Sequence, residues 1–130
     1  MYTRAASNGK WGEIYAARML REKEGYELIA CDYRVRGGEI DLIAIYREFL
    51  VCAEVKTRSK GAIGEPREWV TEAKRRRLIT AAKLFMAQDG RRLQPRFDVI
   101  EVKLDDSVLP PKPLKINHIE NAFTCDDEIF

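Results

Sequence analysis

The chain has 130 residues, of which 45% are hydrophobic and 34% charged, and its formal net charge is +2. This length predicts one domain, residues 1–130, with a core at about 7–104 and a C-terminal extension at 105–130. The sequence shows no apolar run of the roughly 20 residues that a membrane span needs, no secretory leader and no CxxC spacing among its cysteines. These features predict a cytoplasmic protein that has no contact with a membrane and no structural zinc or disulfides.

The order of the predicted elements indicates the fold class. Apolar periodicity, turn residues and helix stops predict a helix from Ser7 or Asn8 to about Glu24, strands at 27–34, 38–46 and 50–56, a helix from Pro66 to about Asp89, a strand at 95–103, and an extended end with a short helix around 119–123. Three strands followed by a helical crossover and a fourth strand predict an α/β fold, with a central mixed sheet flanked by helices.

The second and third strands are predicted to form a hairpin that carries an unusual pair of acids. With Arg47 and Glu48 as the loop, Asp41 lies directly opposite Glu54, and Cβ atoms in such pairs are about 4.5–5.5 Å apart. Like charges in this position are destabilising, so the pairing predicts that another group, such as a metal ion, compensates them. Arg-Glu is a poor two-residue turn, and a register slip of one residue would place the acids on opposite faces.

Side-chain alternation favours the register that pairs the two acids. It also places Glu39 opposite Lys56, so that all four charged side chains share one face. The other face is wholly apolar and is predicted to face the core, with Ile40, Leu42 and Ala44 on one strand and Val51, Ala53 and Val55 on the other. The charges therefore lie at one end of the sheet, where a cleft can form.

Glu13 is the candidate acid of the first helix. It shares one helical stripe with Ala16, Ala17 and Leu20, which predicts that it faces the sheet. The alternative is an exposed glutamate in the first turn, favoured by the helix dipole. Gly37 and Gly38 precede the hairpin acids and serve either a turn or a close approach of the backbone to another group.

The middle of the chain is strongly basic, because residues 56–97 carry 12 Lys and Arg against 4 Asp and Glu. This block predicts a polyanionic partner, although a solvated helix face explains such a run equally well. The candidate nucleic-acid contacts are Arg36, Arg58, Lys74, Arg76 and Arg77. The single histidine, His118, lies far from the acids in sequence and is weak evidence for a ligand or a base.

The acids and the lysine support one chemical interpretation. Asp41 and Glu54 offer the hard oxygen ligands that suit Mg²⁺ or Mn²⁺, and such a metal activates water and offsets charge at phosphorus. Lys56, beside them, can hold the attacking water and a phosphate oxygen. Glu13 can complete the metal shell or orient a water.

These residues also carry a resemblance to a known family. Glu13, the segment 38–44 and Glu54-Val55-Lys56 resemble the PD-(D/E)xK nuclease motif, with Ile40 where the motif name has proline. The similarity is greatest to the YraN-like family of predicted endonucleases, which is similar to archaeal Holliday junction resolvases. It extends to Gly9-x-x-Gly12, to Val70, Lys74 and Leu78, and to the segments 96–99 and 119–123.

The resemblance implies a restriction-endonuclease-like αβββαβ fold and metal-dependent cleavage of phosphodiester bonds in DNA, including branched or single-stranded DNA, in recombination or repair. Asp41 and Glu54 would bind Mg²⁺ or Mn²⁺, Lys56 would act at the phosphate, and Glu13 would be the acid of the first helix. It also allows a homodimer that pairs two active sites. Two alternatives stay open: a nucleic-acid-binding or scaffolding module that keeps the fold without chemistry, and RNA as the substrate.

Overall fold

The computed structural model describes residues 4–60 and 70–125, with side chains from residue 7 onward. Its elements are helix α1 (Arg4–Glu22), strands β1 (Tyr26–Val35), β2 (Gly38–Tyr46) and β3 (Phe49–Ser59), helix α2 (Glu72–Asp89), and strands β4 (Gln94–Asp105) and β5 (Lys112–Phe123). This order confirms the predicted α/β class and adds one strand to the expected αβββαβ core. Neither helix of the described residues is long and apolar enough to cross a membrane.

The five strands form one mixed sheet in the order β1-β2-β3-β4-β5. Strands β3 and β4, which α2 connects, are parallel, and the other neighbours are antiparallel. One buried cluster lies between the sheet and α1, and contains Ala16 and Leu20 of that helix. A second cluster lies against α2 and contains Leu78 and Ala82. Each helix therefore covers one face, which we name the α1 face and the α2 face.

The β2–β3 hairpin has the predicted register. Tyr46 pairs with Phe49, and the pairing continues to Leu42 and Ala53, so Arg47 and Glu48 form a two-residue turn. Arg47 takes the left-handed conformation, with φ of 54°, that the turns favoured in hairpins require and that asparagine or glycine usually provides. Its guanidinium lies 5.0 Å from the centre of the Tyr46 ring. A pattern of side chains has therefore outweighed a poor turn sequence.

The predicted alternation fails at one position of β2. Ile40 packs in the cluster against α2, whereas Leu42 packs in the cluster against α1, so the prediction that both share one face is wrong. The change of face coincides with an irregularity in β1, where Asp32 has a left-handed φ of 53°. A left-handed residue within a strand bends it locally, as in a β-bulge. Asp41 lies at this bend.

Gly37 and Gly38 serve both of the functions considered for them. Gly37 has φ of 83° and forms the turn between β1 and β2. A Cβ atom at Gly38 would collide with the carbonyl oxygen of Arg77 in α2. The missing side chain of Gly38 therefore lets α2 lie directly on the start of β2, which brings the first turn of the helix to the hairpin.

Two predicted helix starts are corrected, and one predicted helix end is confirmed. Helix α1 begins at Arg4 rather than at Ser7 or Asn8. Helix α2 begins at Glu72 rather than at Pro66, which lies outside the described residues, because Thr71 is extended and its Oγ1 accepts a hydrogen bond of 3.2 Å from the N–H of Lys74. The predicted stop after Asp89 is confirmed, since Gly90 caps the helix with φ of 77°.

Residues 119–123 form part of β5 and not the predicted short helix. Ile119 pairs with Val99 and Phe123 pairs with Phe97, and all four side chains pack in the cluster against α2. The ladder to β4 and this burial outweigh the local sequence, since the edge of β4 would otherwise leave its backbone groups unpaired.

A buried polar network joins both ends of the chain on the α1 face. The Arg96 guanidinium donates to the two carboxylate oxygens of Asp98, at 3.0 and 2.8 Å, and to the Tyr26 hydroxyl, at 2.7 Å. His118 Nε2 lies 2.7 Å from Asp98 Oδ2, and Lys23 Nζ lies 2.8 Å from His118 Nδ1. Because an ammonium group only donates, Nδ1 is the acceptor and Nε2 carries the proton toward Asp98. His118 therefore has a structural partner in this network.

Candidate functional site

Asp41 is tied to the neighbouring strand by its side chain. Its Oδ2 accepts a hydrogen bond of 2.8 Å from the backbone N–H of Val55, just beyond the pair formed by Leu42 and Ala53. The half-buried carboxylate thus bonds to a backbone donor of β3 at the seam between the two strands. This bond fixes Asp41 beside Glu54, the residue that precedes Val55.

Glu54 is a buried carboxylate with two lysines on one oxygen. Only 2% of its surface is exposed. Its Oε1 lies 2.8 Å from Lys74 Nζ of α2 and 3.6 Å from Lys56 Nζ of its own strand. Its Oε2 is also buried and has no hydrogen-bond partner among the described residues. One oxygen of Glu54 is therefore compensated and the other is left without a donor, which is costly in a protein interior.

The proximity of the two acids changes the titration of Asp41. Burial is the largest cause and the Glu54 charge the second, and together they raise the pKa of Asp41 from 3.8 to about 8, against the opposing effect of the Val55 N–H bond. Without a cation nearby, the Asp41 carboxyl therefore favours its protonated form at neutral pH. This is the electrostatic conflict that the sequence predicted for residues placed opposite each other.

Glu13 faces the same site from α1. Gly12 makes this possible, because a Cβ atom there would collide with the Thr57 side chain of β3. Burial raises the pKa of Glu13, and Asp32 and Glu54 raise it further. Glu13 lines a cleft of about 330 Å³ together with Asp41 and a second cleft of about 480 Å³ together with Lys56. The inward orientation predicted from the helical stripe is confirmed.

The pKa values of Lys56 and Lys74 shift in opposite directions. Burial and the neighbouring charge of Lys74 lower the pKa of Lys56, and Glu54 only partly offsets this. Burial also lowers the pKa of Lys74, but the hydrogen bond and the charge of Glu54 outweigh it, so the pKa of Lys74 is raised overall. Lys74 is thus a firmly charged counter-ion of Glu54, whereas Lys56 is the lysine that loses its proton more readily.

Three of the predicted residues have partners in the structure that the sequence did not indicate. Glu39 is opposite Arg34 of β1 and is not paired with Lys56, because the regular ladder between β2 and β3 ends at Leu42 and Ala53, next to the bend at Asp41. Lys74 bonds to Glu54 instead of presenting its ammonium group with the other cations of the helix surface. Arg58 lies 2.6 Å from Glu101 of β4 in a half-buried ion pair.

The remaining candidates for nucleic-acid contact are on the surface. Arg36, Arg76 and Arg77 are all exposed, and Arg76 lies 3.3 Å from Glu72 one helical turn away. Their binding of nucleic acid stays a prediction. Lys74 also belongs to the acid site, which was not predicted from the sequence. Its position on the border of the apolar stripe of the helix indicates that it lies near the sheet, but it does not identify Glu54 as its partner.

The acid pair fits a hydrated divalent cation better than a closed protein cage. Within residues 4–60 and 70–125, no three His, Cys, Asp or Glu side chains form a metal-binding group, and the part of Glu13 as a third ligand stays a prediction. Glu13 projects from the helix layer, while Asp41 and Glu54 lie in the sheet. Mg²⁺ is commonly held by one or two carboxylates and retains several waters. The Oε2 of Glu54 meets this requirement, since it has no hydrogen-bond partner among the described residues.

In a metal-free solution with EDTA, Asp41→Asn is expected to raise the stability at pH 8–9 by about 0.5–2 kcal/mol. The pKa raised from 3.8 to about 8 means that the folded protein keeps a proton which the unfolded chain loses, so wild-type stability falls between these values as pH rises. Asparagine carries no charge and still accepts from Val55. Thermal unfolding between pH 5 and 9 measures the effect, and parallel curves for the two proteins would contradict it.

The fold and the site define a class of protein, and the comparisons define the family. A mixed five-stranded sheet with one helix on each face is an α/β fold compatible with a restriction-endonuclease-like arrangement. The profile of the family described as "Uncharacterised protein family UPF0102" matches residues 12–102. The chain belongs to this YraN-like family, which confirms the family resemblance seen in the sequence.

Similar relatives include bacterial proteins of the same family, and the chain matches them along nearly their whole length. A UPF0102 protein of Alkaliphilus oremlandii is 43% identical over 120 residues, which cover 88% of this chain and 96% of the relative. A UPF0102 protein of Symbiobacterium thermophilum is 46% identical over 116 residues, which cover 88% and 94%. One of Caldanaerobacter subterraneus is 40% identical over 116 residues, which cover 88% and 93%. These names state a family and no activity.

Proposed function

We propose that this protein is a divalent-metal-dependent DNA endonuclease that hydrolyses phosphodiester bonds in structured DNA during recombination or repair. The observation that carries the proposal is the pairing of Asp41 with Glu54, whose buried Oε2 has no hydrogen-bond donor in the part of the chain that the structure describes. A fold gains no stability from two carboxylates in this position. The resemblance to the PD-(D/E)xK motif supports the same assignment, because Asp41, Glu54 and Lys56 occupy its three chemical positions.

Asp41 and Glu54 are the residues that would hold Mg²⁺ or Mn²⁺. Such a cation, when bound, lowers the pKa of a coordinated water and offsets negative charge on the phosphate. Lys74 lies 2.8 Å from Oε1 of Glu54 and compensates the charge on that oxygen. The second oxygen of Glu54 therefore remains available as a ligand while the first is neutralised by the protein itself.

Lys56 and Glu13 act on the substrate side of the carboxylates. Lys56 lines the cleft that it shares with Glu13, where its ammonium group can donate to a phosphate oxygen and orient the attacking water. Its lowered pKa lets it exchange a proton more readily than an exposed lysine does. Glu13, whose pKa is raised, is placed to accept a hydrogen bond from a water in the same cleft.

A cleavage assay on purified protein tests the proposal. We expect wild-type protein with Mg²⁺ or Mn²⁺ to cut at least one of a four-way junction, a flap, a single strand and a duplex, and expect Asp41→Asn to cut none. Arg92→Ala, which removes an exposed cation at the other end of β4, is the control and should cut as wild type does. Equal cleavage by Asp41→Asn would indicate a contaminating nuclease and contradict the proposal.

Measurements of metal binding and DNA binding distinguish the proposed nuclease from the non-catalytic alternative. Calorimetric titration with Mn²⁺ should show binding to the wild type and not to Asp41→Asn. Salt-dependent DNA binding without metal binding and without cleavage would instead assign the protein as a nucleic-acid-binding module. Preferential cleavage of RNA over matched DNA would assign RNA as the substrate.

A further inference from the structure

The α2 face changes from apolar to charged along β3, β4 and β5. The ladders bring residues of the three strands into line, so that each row across the sheet has one member from each strand. In chain direction along β3, the three successive rows are Glu54–Val99–Ile119, Lys56–Glu101–Asn117 and Arg58–Lys103–Lys115.

The three cations of the last row lie on the same face of the sheet. Val99 and Ile119 pack in the cluster against α2, and strand side chains alternate between faces. Lys103 and Lys115 are each four residues from one of these anchors in a regular ladder, so both return to the α2 face. Ile116, adjacent to Lys115, packs in the cluster on the opposite α1 face, which confirms the assignment independently.

The row concentrates positive charge where the protein supplies little negative charge. Arg58 is opposite Lys103, and Lys103 is opposite Lys115. Directly opposed like charges destabilise a sheet. Arg58 has Glu101 at 2.6 Å, but in the part of the chain that the structure describes no carboxylate lies within ion-pair distance of Lys103 or Lys115. The repulsion between these lysines points to an anionic partner.

We propose that the row Arg58–Lys103–Lys115 binds the phosphate backbone of the DNA strand that enters the cleavage site. The inference deepens the proposed function and rests on it. Adjacent strands are about 4.8 Å apart, so the row spans about 10 Å, which corresponds to about three rises of about 3.4 Å along one DNA strand. Lys56 lies two residues before Arg58 on β3, about 7 Å away, so a strand crossing the row passes beside the acid pair.

The assignment extends the DNA surface beyond the basic helix. Lys103 and Lys115 lie outside the basic segment 56–97 and within a region of the chain that is acidic overall. Only the ladders from β3 to β4 and from β4 to β5 bring them beside Arg58. The proposed path of the DNA strand therefore crosses the edge of the sheet at β5 and continues toward the β2–β3 hairpin.

A binding assay without cleavage tests this path. The affinity for fluorescently labelled duplex and four-way-junction DNA is measured by anisotropy in EDTA over a series of KCl concentrations. The double variant Lys103→Ala/Lys115→Ala should bind about 10-fold more weakly at 0.1 M salt, and its log–log salt slope should be smaller by about two. Lys103→Arg/Lys115→Arg should restore both values, because it restores the charges.

The control is the matched double variant Arg91→Ala/Arg92→Ala, which removes two exposed cations at the opposite end of β4 and breaks only the surface pair of Arg91 with Asp89 at 3.2 Å. It should keep the wild-type slope. The Lys103/Lys115 alanine variant should unfold at the wild-type Tm or above, since a repulsion is removed, so a loss of binding would not reflect misfolding.

The result overturns the inference if the Lys103/Lys115 alanine variant keeps wild-type affinity and slope. Failure of the proposed function looks different. Wild-type protein that shows this salt-dependent binding but cuts no DNA with Mg²⁺ or Mn²⁺ would remove the nuclease activity and leave the phosphate-binding row in place.

Discussion

Lys56→Ala is expected to lower the single-turnover rate of DNA cleavage about 10²–10³-fold, the usual cost of removing one preorganised donor at a transition state. Lys56 Nζ lies in the cleft, 3.6 Å from Glu54 Oε1. Lys74 remains at 2.8 Å from the same oxygen, so Glu54 keeps a counter-ion in the variant. The fold should therefore be retained, and the loss should appear in the chemical step.

The measurement separates Lys56 from Lys74. DNA affinity of Lys56→Ala in EDTA should remain within a few-fold of wild type, while the cleavage rate at saturating protein falls. Lys74→Ala should instead weaken Mn²⁺ binding and lower the Tm, because Lys74 acts through buried Glu54. A rate for Lys56→Ala equal to that of the Arg92→Ala control would remove Lys56 from the catalytic group.

Asp98→Ala is expected to destabilise the protein by about 3–5 kcal/mol, the cost of leaving a buried charge without its partner. Arg96 is only 8% exposed, and Asp98 receives its two charge-assisted hydrogen bonds. Tyr26 and Glu120, the latter at 4.0 Å, would be the groups left near the guanidinium. Chemical denaturation at pH 7 measures the loss. The control, Arg76→Ala, breaks an exposed helix pair and should cost at most about 0.5 kcal/mol.

The pH dependence of the stability of Asp98→Ala identifies the cause of its destabilisation. Burial raises the pKa of Asp98, but bonds from His118, Arg96 and the backbone of Asn121 outweigh it and lower the pKa below 3.8. The stability that Asp98 contributes is therefore present above that value and is lost as pH falls through the folded pKa. The gap between wild type and Asp98→Ala should narrow below about pH 4. A gap that is constant down to pH 2 would assign the loss to packing instead.

The hairpin shows how far local pattern reaches. Two apolar runs with alternating charges specify two strands, and the register follows because a slip would bury the wrong side chains. The pairing from Tyr46–Phe49 to Leu42–Ala53 was predictable for this reason, although Arg47-Glu48 is a poor turn. The face on which Ile40 lies was not predictable, because the left-handed Asp32 that accompanies the change of face belongs to a neighbouring strand.

Lys74 and β5 show where local pattern ends. Lys74 reaches Glu54 because α2 crosses between two parallel strands and lies on Gly38, and no periodicity within the helix encodes that docking. Residues 119–123 have no strong strand pattern of their own, but the open edge of β4 provides both hydrogen bonds and a cluster to complete.

The sequence by itself determined the α/β class, the family, the hairpin register and the proximity of Asp41 to Glu54, because these depend on side-chain period and on contacts between neighbouring strands. Only the tertiary structure decided which cation compensates Glu54 and how Arg58, Lys103 and Lys115 form one row. Those properties depend on side chains far apart in the chain. Their contacts arise from the docking of α2 and the addition of β5, which no local pattern specifies.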